Sequence, residues 1–248
     1  MLSNIDLAAI LFLDIETAPL APIFTDLAEE TQTLWQYRTN RFKQTTDEEI
    51  SDEEYYFKKS GVYAEFGKII CVSAGIYRYG KLPDDPPTFR IKSFYGHDEK
   101  ALLENFLAML KTYFDPDRFY LCGHNIREFD VPFICRRAII NSIPLPTILD
   151  VNALKPWELR FLDTMQLWKF GDYKNFTSLH LLTHLLGIPS PKKDMEGSEV
   201  AQVYWHQENG LERIKTYCEQ DVLAVAQVIL RFKGMNYLQP EQVITVAD

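Results

Sequence analysis

The sequence predicts an α/β fold in which a central sheet of about five strands is flanked by helices. Three observations predict it. Short apolar or alternating runs at residues 7–16, 69–79, 88–95, 119–122 and 160–163 read as strands. Segments with apolar residues at three- and four-residue steps read as helices between and beyond them. An apolar fraction of 46% with 13% aromatics gives 248 residues the material for a substantial core. No repeat, low-complexity tract or linker divides the chain, so a single domain over residues 1–248 is expected.

Each element has a local reason. Residues 7–16 read as a buried strand, broken by Ala18-Pro19-Leu20-Ala21-Pro22. The polar, acidic, helix-leaning stretch from about 24 to 60 is read as a helical insertion after that strand. Residues 69–79 and 88–95, joined by a turn-rich loop, complete a three-stranded meander. Asp98 is placed to cap a helix reaching to about 113, with Leu102, Leu103, Phe106, Leu107 and Leu110 at helical spacing. A short strand at 119–122 leads through Gly123-His124-Asn125 to a helix over about 130–141, in whose first turn Pro132 is tolerated. Beyond a strand near 160–163, helices are expected over 178–186, ending at Gly187-Ile188-Pro189, then over about 198–207 and about 211–232.

Composition narrows the function. A net charge of -9 argues against a broad basic surface for duplex binding but leaves room for a local basic groove, so a polyanion would have to be held locally. Cys71, Cys122, Cys135 and Cys218 form no C-x-x-C pair and sit in apolar surroundings. Buried, reduced thiols and a cytoplasmic location follow from that reading. The apolar run 7–13 lacks a basic flank, and no run reaches the roughly 18 residues of a membrane span, so neither export nor a membrane is expected.

Four separated acids carry the chemistry. Asp14 and Glu16 stand two apart in a strand, so both project from one face while Leu13 and Ile15 bury on the other. Such a pair also occurs at solvated strand ends. In the last helix Leu211, Ile214, Cys218, Asp221, Val225, Val228 and Phe232 trace one stripe that Asp221 alone interrupts. A buried carboxylate there needs a cation or a basic partner across the core. Tyr217 lies one turn before it. Asp130, before Val-Pro, suits a helix cap as well as a ligand. Acids brought together need a compensating cation, because mutual repulsion otherwise leaves them partly protonated at neutral pH.

Three segments resemble the exonuclease motifs of the DnaQ-like superfamily, which has an RNase H-like fold with a mixed central sheet. They most resemble the predicted 3′ to 5′ exonucleases related to the proofreading domain of family B DNA polymerases. The first gives D-x-E at Asp14 and Glu16, the second N-x-x-x-F-D at Asn125, Phe129 and Asp130, the third Y-x-x-x-D at Tyr217 and Asp221. Each motif is weak alone, and their order is what carries the likeness, from about 9–23 and 61–233. Thr216 stands where the histidine pattern of the third motif would need its histidine, so Tyr217 fits the tyrosine (DEDDy) subclass. Residues 174–187, with Ser178-Leu179, resemble the helix that precedes the third motif.

The resemblance implies a two-cation hydrolysis of phosphodiesters with Mg²⁺ or Mn²⁺, which carboxylates suit. It makes Asp14 the bridge between the ions, Glu16 and Asp221 holders of the ion that activates water, and Asp130 the completion of the other site. Tyr217, with an ordinary pKa near 10, would orient that water. Asn125 and Phe129 resemble the contacts to the terminal nucleotide, where an aromatic ring accepts any base. Arg127 is placed to touch phosphate, and Lys174, Lys192 and Lys193 to extend a basic track; each also reads as a solvated charge. The partner expected is a single-stranded 3′ end, DNA by preference, releasing nucleoside 5′-monophosphates. A ribonuclease D-type enzyme would use the same residues, and a catalytically silent nucleic-acid-binding module is the rival of another class. His180 and His184 have zinc-compatible i, i+4 spacing but no H-E-x-x-H. His124 reads as a loop hydrogen-bonder. Trp35 and Tyr37 either contact substrate or pack the insertion.

Overall fold

The computed structural model describes residues 2–43, 50–82, 85–152, 154–155, 158–172, 176–189 and 195–246. Strand β1, Ile10–Pro19, is its axis. Leu11, Leu13 and Ile15 point into one core cluster and Ile10 and Phe12 into another, so both faces of β1 are covered and its sequence is continuously apolar up to Asp14. Residues Leu7–Ala9, expected as strand, form a 3-10 turn because the Asp6 carboxylate accepts the Ala8 N–H and holds the chain in a cap.

Two helices follow, α1 at Glu29–Lys43 and α2 at Asp52–Lys59, in the stretch read as an insertion. Trp35, fully buried, is surrounded by the rings of Tyr55, Tyr56, Tyr63 and Phe66, while Tyr37 is exposed. Trp35 therefore packs this small cluster. Tyr56 Oη accepts the Ala21 N–H and the Thr17 hydroxyl donates to the Gly61 carbonyl, which ties the cluster to the end of β1.

Strands β2, Gly67–Arg78, and β3, Thr88–Tyr95, extend the sheet antiparallel. Helix α3, Glu99–Tyr113, is capped by the Asp98 carboxylate and buries Leu102, Leu103, Phe106, Leu107 and Leu110 as expected. Each such side chain contributes about 1.5–3 kcal/mol of burial. Strand β4, Tyr120–Gly123, pairs parallel with β1, and α4, Asp130–Ile140, packs with α3 on one sheet face. Next come β5, Phe161–Asp163, and α5, Thr164–Lys169, a short helix absent from the sequence expectation. Helices α6, Leu179–Leu185, α7, Val200–His206, and α8, Gly210–Phe232, fall within a residue or two of expectation.

The sheet is mixed and has six strands, in the order β5-β4-β1-β2-β3-β6. The sixth, β6 at Val243–Thr245, pairs parallel with β3 at the edge; three half-buried to exposed residues give no periodic signal, so sequence missed it. Helix α8 covers the face opposite α3 and α4. It lies close because β2 offers Gly75: a Cβ there would meet the Phe89 ring at 2.4 Å and Val222 at 2.8 Å. This close seat brings the third motif onto β1. No helix among the described residues is long and apolar enough to cross a membrane.

Candidate active site

Asp14 and Glu16 share the face of β1 that looks toward α8. Ligand atoms of Asp14, Glu16 and Cys218 lie within 4.8 Å of one another, with Glu16 and Cys218 buried and Asp14 half-buried. The Cys218 thiol donates to both the Asp14 carbonyl and Asp14 Oδ2, each at 3.4 Å. Asp221 follows one turn later. The expectation that it breaks the buried stripe needs correction: Val222 is buried and Asp221 half-buried, so the core stripe is Ile214, Cys218, Val222, Val225, Ile229, with Asp221 on its rim. A rim acid keeps part of its hydration and needs no core counter-charge.

Asp130 approaches from the other side of β1. It is the first residue of α4 and Phe129 the cap position, so the helix-cap reading of Asp130 is also corrected. Its Oδ1 instead accepts the Ile15 N–H at 3.1 Å, between Asp14 and Glu16 in sequence. Burial raises the Asp130 pKa to about 7, with Asp163 adding to the rise and the N–H groups of Asp130 and Ile15 opposing it. Asp14 is pushed well above the carboxylate range, first by its dense surroundings and then by the charges of Glu16, Asp130 and Asp221. The four sequence-predicted acids thus share one electrostatic site.

Tyr217 sits on the same turn of α8. Burial and then the charges of Asp221, Glu16 and Asp14 push its pKa far above the ordinary value, and its hydroxyl donates to Asp221. The phenol stays protonated at neutral pH. The second-motif loop is organised by a residue that sequence reasoning missed, Asp163. Buried at the end of β5, it accepts N–H groups of Asn125, Arg127, Met165 and Gln166 at 3.0–3.3 Å. That network holds Asn125 at φ 65°, a left-handed conformation asparagine tolerates. Asn125 Oδ1 is buried with no hydrogen-bond partner among the described residues. His124 uses Nε2 on the Thr177 carbonyl and Nδ1 on the Thr164 hydroxyl, as a loop residue should. Phe129, half-buried, lies 5.5 Å from Phe133.

Arg127 is half-buried in this loop. Lys174, Lys192 and Lys193 lie outside the described residues. His180 and His184 are exposed on α6. One signal was available and unused: Asp163 before a helical run reads as a helix cap. Cys218 was placed on the predicted stripe, but the thiol's contact with Asp14 leaves no mark in the sequence. The four cysteines are free thiols, three buried and Cys135 half-buried.

Oxygen donors at this density, two of them with raised pKa values, fit hard divalent cations. Residues 62–244 match the family model described as a predicted 3′-5′ exonuclease related to the exonuclease domain of PolB. The chain belongs to this family. The matched span contains Asn125, Asp130, Tyr217 and Asp221, whereas Asp14 and Glu16 precede it. The mixed sheet flanked by helices is RNase H-like. It superposes on the family B DNA polymerase of the hyperthermophilic archaeon Pyrobaculum calidifontis with a TM-score of 0.55 and 13% identity, over 90% of this chain. That likeness is one of fold, and the chain spans 24% of the polymerase's length. No curated protein matches the chain.

Proposed function

We propose that this family member is a 3′ to 5′ exonuclease of the DEDDy subclass. It would cleave single-stranded ends, DNA by preference, to nucleoside 5′-monophosphates with two Mg²⁺ or Mn²⁺ ions. One observation carries the reading: Asp14 feels the charges of Glu16, Asp130 and Asp221 together, beside a protonated Tyr217. Two of the four acids, Asp14 and Asp130, hold protons more tightly than ordinary carboxylates and are poised to exchange them for cations.

Asp14, Glu16, Asp130 and Asp221 would hold the ions. Bound there, divalent cations supply the charge that polarises a phosphoryl oxygen and acidifies the attacking water. Tyr217 donates a hydrogen bond to Asp221, which leaves the phenolic oxygen as an acceptor that fixes the orientation of that water. A tyrosine so hard to ionise positions rather than deprotonates. Asn125 Oδ1 offers a buried acceptor to a terminal sugar hydroxyl, and Phe129 a ring on which any base can stack. Arg127 is assigned to phosphate. Free thiols suit a reducing compartment, so cytoplasmic action is proposed.

The test incubates matched 5′-labelled DNA and RNA strands with wild type or Asp14→Asn in Mg²⁺, Mn²⁺ or EDTA. A ladder shortening from the 3′ end only with metal and only with wild type is expected. Equal ladders for the two proteins would sink the reading. Faster loss of RNA would assign the ribonuclease D-type substrate instead.

A further inference from the structure

We propose that His180 is a substrate-binding residue whose imidazole donates a hydrogen bond to a backbone phosphate of the strand beside the acid cluster. The proposal rests on the nuclease reading above. Two cavities flank Tyr217 and Asp221. One is a groove of about 770 Å³ whose lining includes Tyr217, Ser178 and Gly197; the other is a pocket of about 30 Å³ whose lining includes Asp221 and Gln220. Among the described residues His180 is the one that lines both, so its ring stands between the Tyr217 side and the Asp221 side of the site.

Charge makes that position consequential. Glu196 and Glu199 form part of the groove wall, so a phosphodiester lying in the groove meets carboxylates beyond those the cations would neutralise. His180 is the one basic side chain among the described residues lining either cavity. Backbone completes the opposite wall, since a Cβ on Gly197 would stand 3.8 Å from the Tyr217 hydroxyl. The α6 side therefore supplies the one basic donor among the described lining residues.

Packing does not account for the residue. His180 is exposed on the first turn of α6, and among the described residues its ring makes no hydrogen bond, ion pair or ring contact. Three other histidines differ: His124 is held at both nitrogens, His97 meets Tyr204 and His206 lies at a tilt beside Phe57. His184, one turn along the same helix and equally exposed, lines neither cavity and serves as the internal control.

The experiment compares His180→Ala, His180→Gln and His184→Ala with wild type on a labelled single strand in Mn²⁺. His180→Ala should raise KM about tenfold with kcat within about twofold, the cost of one charge-assisted hydrogen bond. His180→Gln, which keeps a donor, should recover most of the loss, and His184→Ala should match wild type. His180→Ala equal to His184→Ala, or a loss confined to kcat, would overturn the proposal. Fluorescence anisotropy of a short fluorescein-labelled oligothymidylate in Ca²⁺ separates the two readings. If wild type binds but cleaves nothing with any metal, the nuclease reading fails while the ratio of the two alanine variants' affinities still decides His180. Absence of wild-type binding overturns both.

Discussion

The Cys218 thiol on α8 donates to the carbonyl and to Oδ2 of Asp14 on β1, so the helix carrying Asp221 is fastened directly to the strand acid. This bond is the one influence that lowers the Asp14 pKa against burial and three like charges. Cys218→Ala removes it, the Asp14 proton is held more tightly, and a cation must displace that proton. Half-saturation by Mg²⁺ at neutral pH should rise about two- to tenfold, matching the net worth of one hydrogen bond. Cys218→Ser keeps a donor and should stay near wild type; identical Mg²⁺ titrations for the alanine variant would refute the link.

Asp14→Asn should abolish cleavage yet stabilise the metal-free protein. The substitution removes an acid whose charge three like neighbours oppose. Part of that repulsion is already relieved by protonation, so a gain of about 1 kcal/mol, or roughly 2–4 °C in Tm, is expected for a chain this size. Calorimetry in EDTA reads it. In saturating Mg²⁺ the order should reverse, because wild type, with all four acids, gains more binding energy from the ions than the variant. A lower Tm for the variant in EDTA would contradict the repulsion account.

Asp130 sets a pH dependence whose sign is opposite to that of a salt-bridged acid. Its pKa rises from 3.8 to about 7 on folding, so between those values the folded protein holds a proton the unfolded chain has lost. Stability contributed by Asp130 is unpenalised below about pH 4, falls as pH rises, and levels above about pH 7, a loss of at most roughly 4 kcal/mol. In EDTA, the Tm of wild type should drop relative to Asp130→Asn between pH 5 and pH 8. A pH-independent difference between the two would sink the assignment.

What sequence made legible followed from periodicity. The two-residue step placed Asp14 and Glu16 on one face, and three- and four-residue steps placed α3 and α8 with their buried sides, because those repeats are the geometry of strand and helix. Adjacent positions on a helix differ by about 100°, so a stripe over 23 residues fits either Asp221 or Val222, and only packing chose Val222. Cap and first-turn positions are likewise one residue apart, so sequence left a cap role open for Asp130 that the structure gives to Phe129. The cap position of Asp163 was legible, but its hold on the loop was not, because Asn125 and Arg127 meet it through backbone N–H groups, which carry no residue signature.

The ion pair of Glu99 and Arg137 fastens α3 to α4 on the face away from α8. Both are buried; Glu99 also accepts the Ile69 N–H at 2.7 Å, and Arg137 Nη1 donates to the Ala64 carbonyl at 2.9 Å. Arg137→Met leaves the carboxylate buried without its cation, which costs about 3–5 kcal/mol. Chemical denaturation should show that loss while kcat per folded molecule stays within about twofold, since neither residue contacts the acid cluster. A kcat collapse in protein shown to be folded would instead tie this pair to the site.

Asp163→Asn tests whether the second-motif loop is positioned from β5. The asparagine keeps an Oδ1 acceptor for Asn125, Met165 and Gln166, but turns an amide donor toward the Arg127 N–H that Oδ2 now accepts. One donor facing another in a buried site costs about 1–3 kcal/mol. The loop can escape by rotating the Arg127 peptide, which would also displace Asn125 from its left-handed conformation and shift Asp130 relative to Ile15. Cleavage should then suffer in both KM and kcat, by about tenfold or more in their ratio. Asp163→Ala, which lacks even the Oδ1 acceptor, should be worse in stability and activity alike. Wild-type kinetics in a folded Asp163→Asn protein would show that the loop holds its shape without the second oxygen.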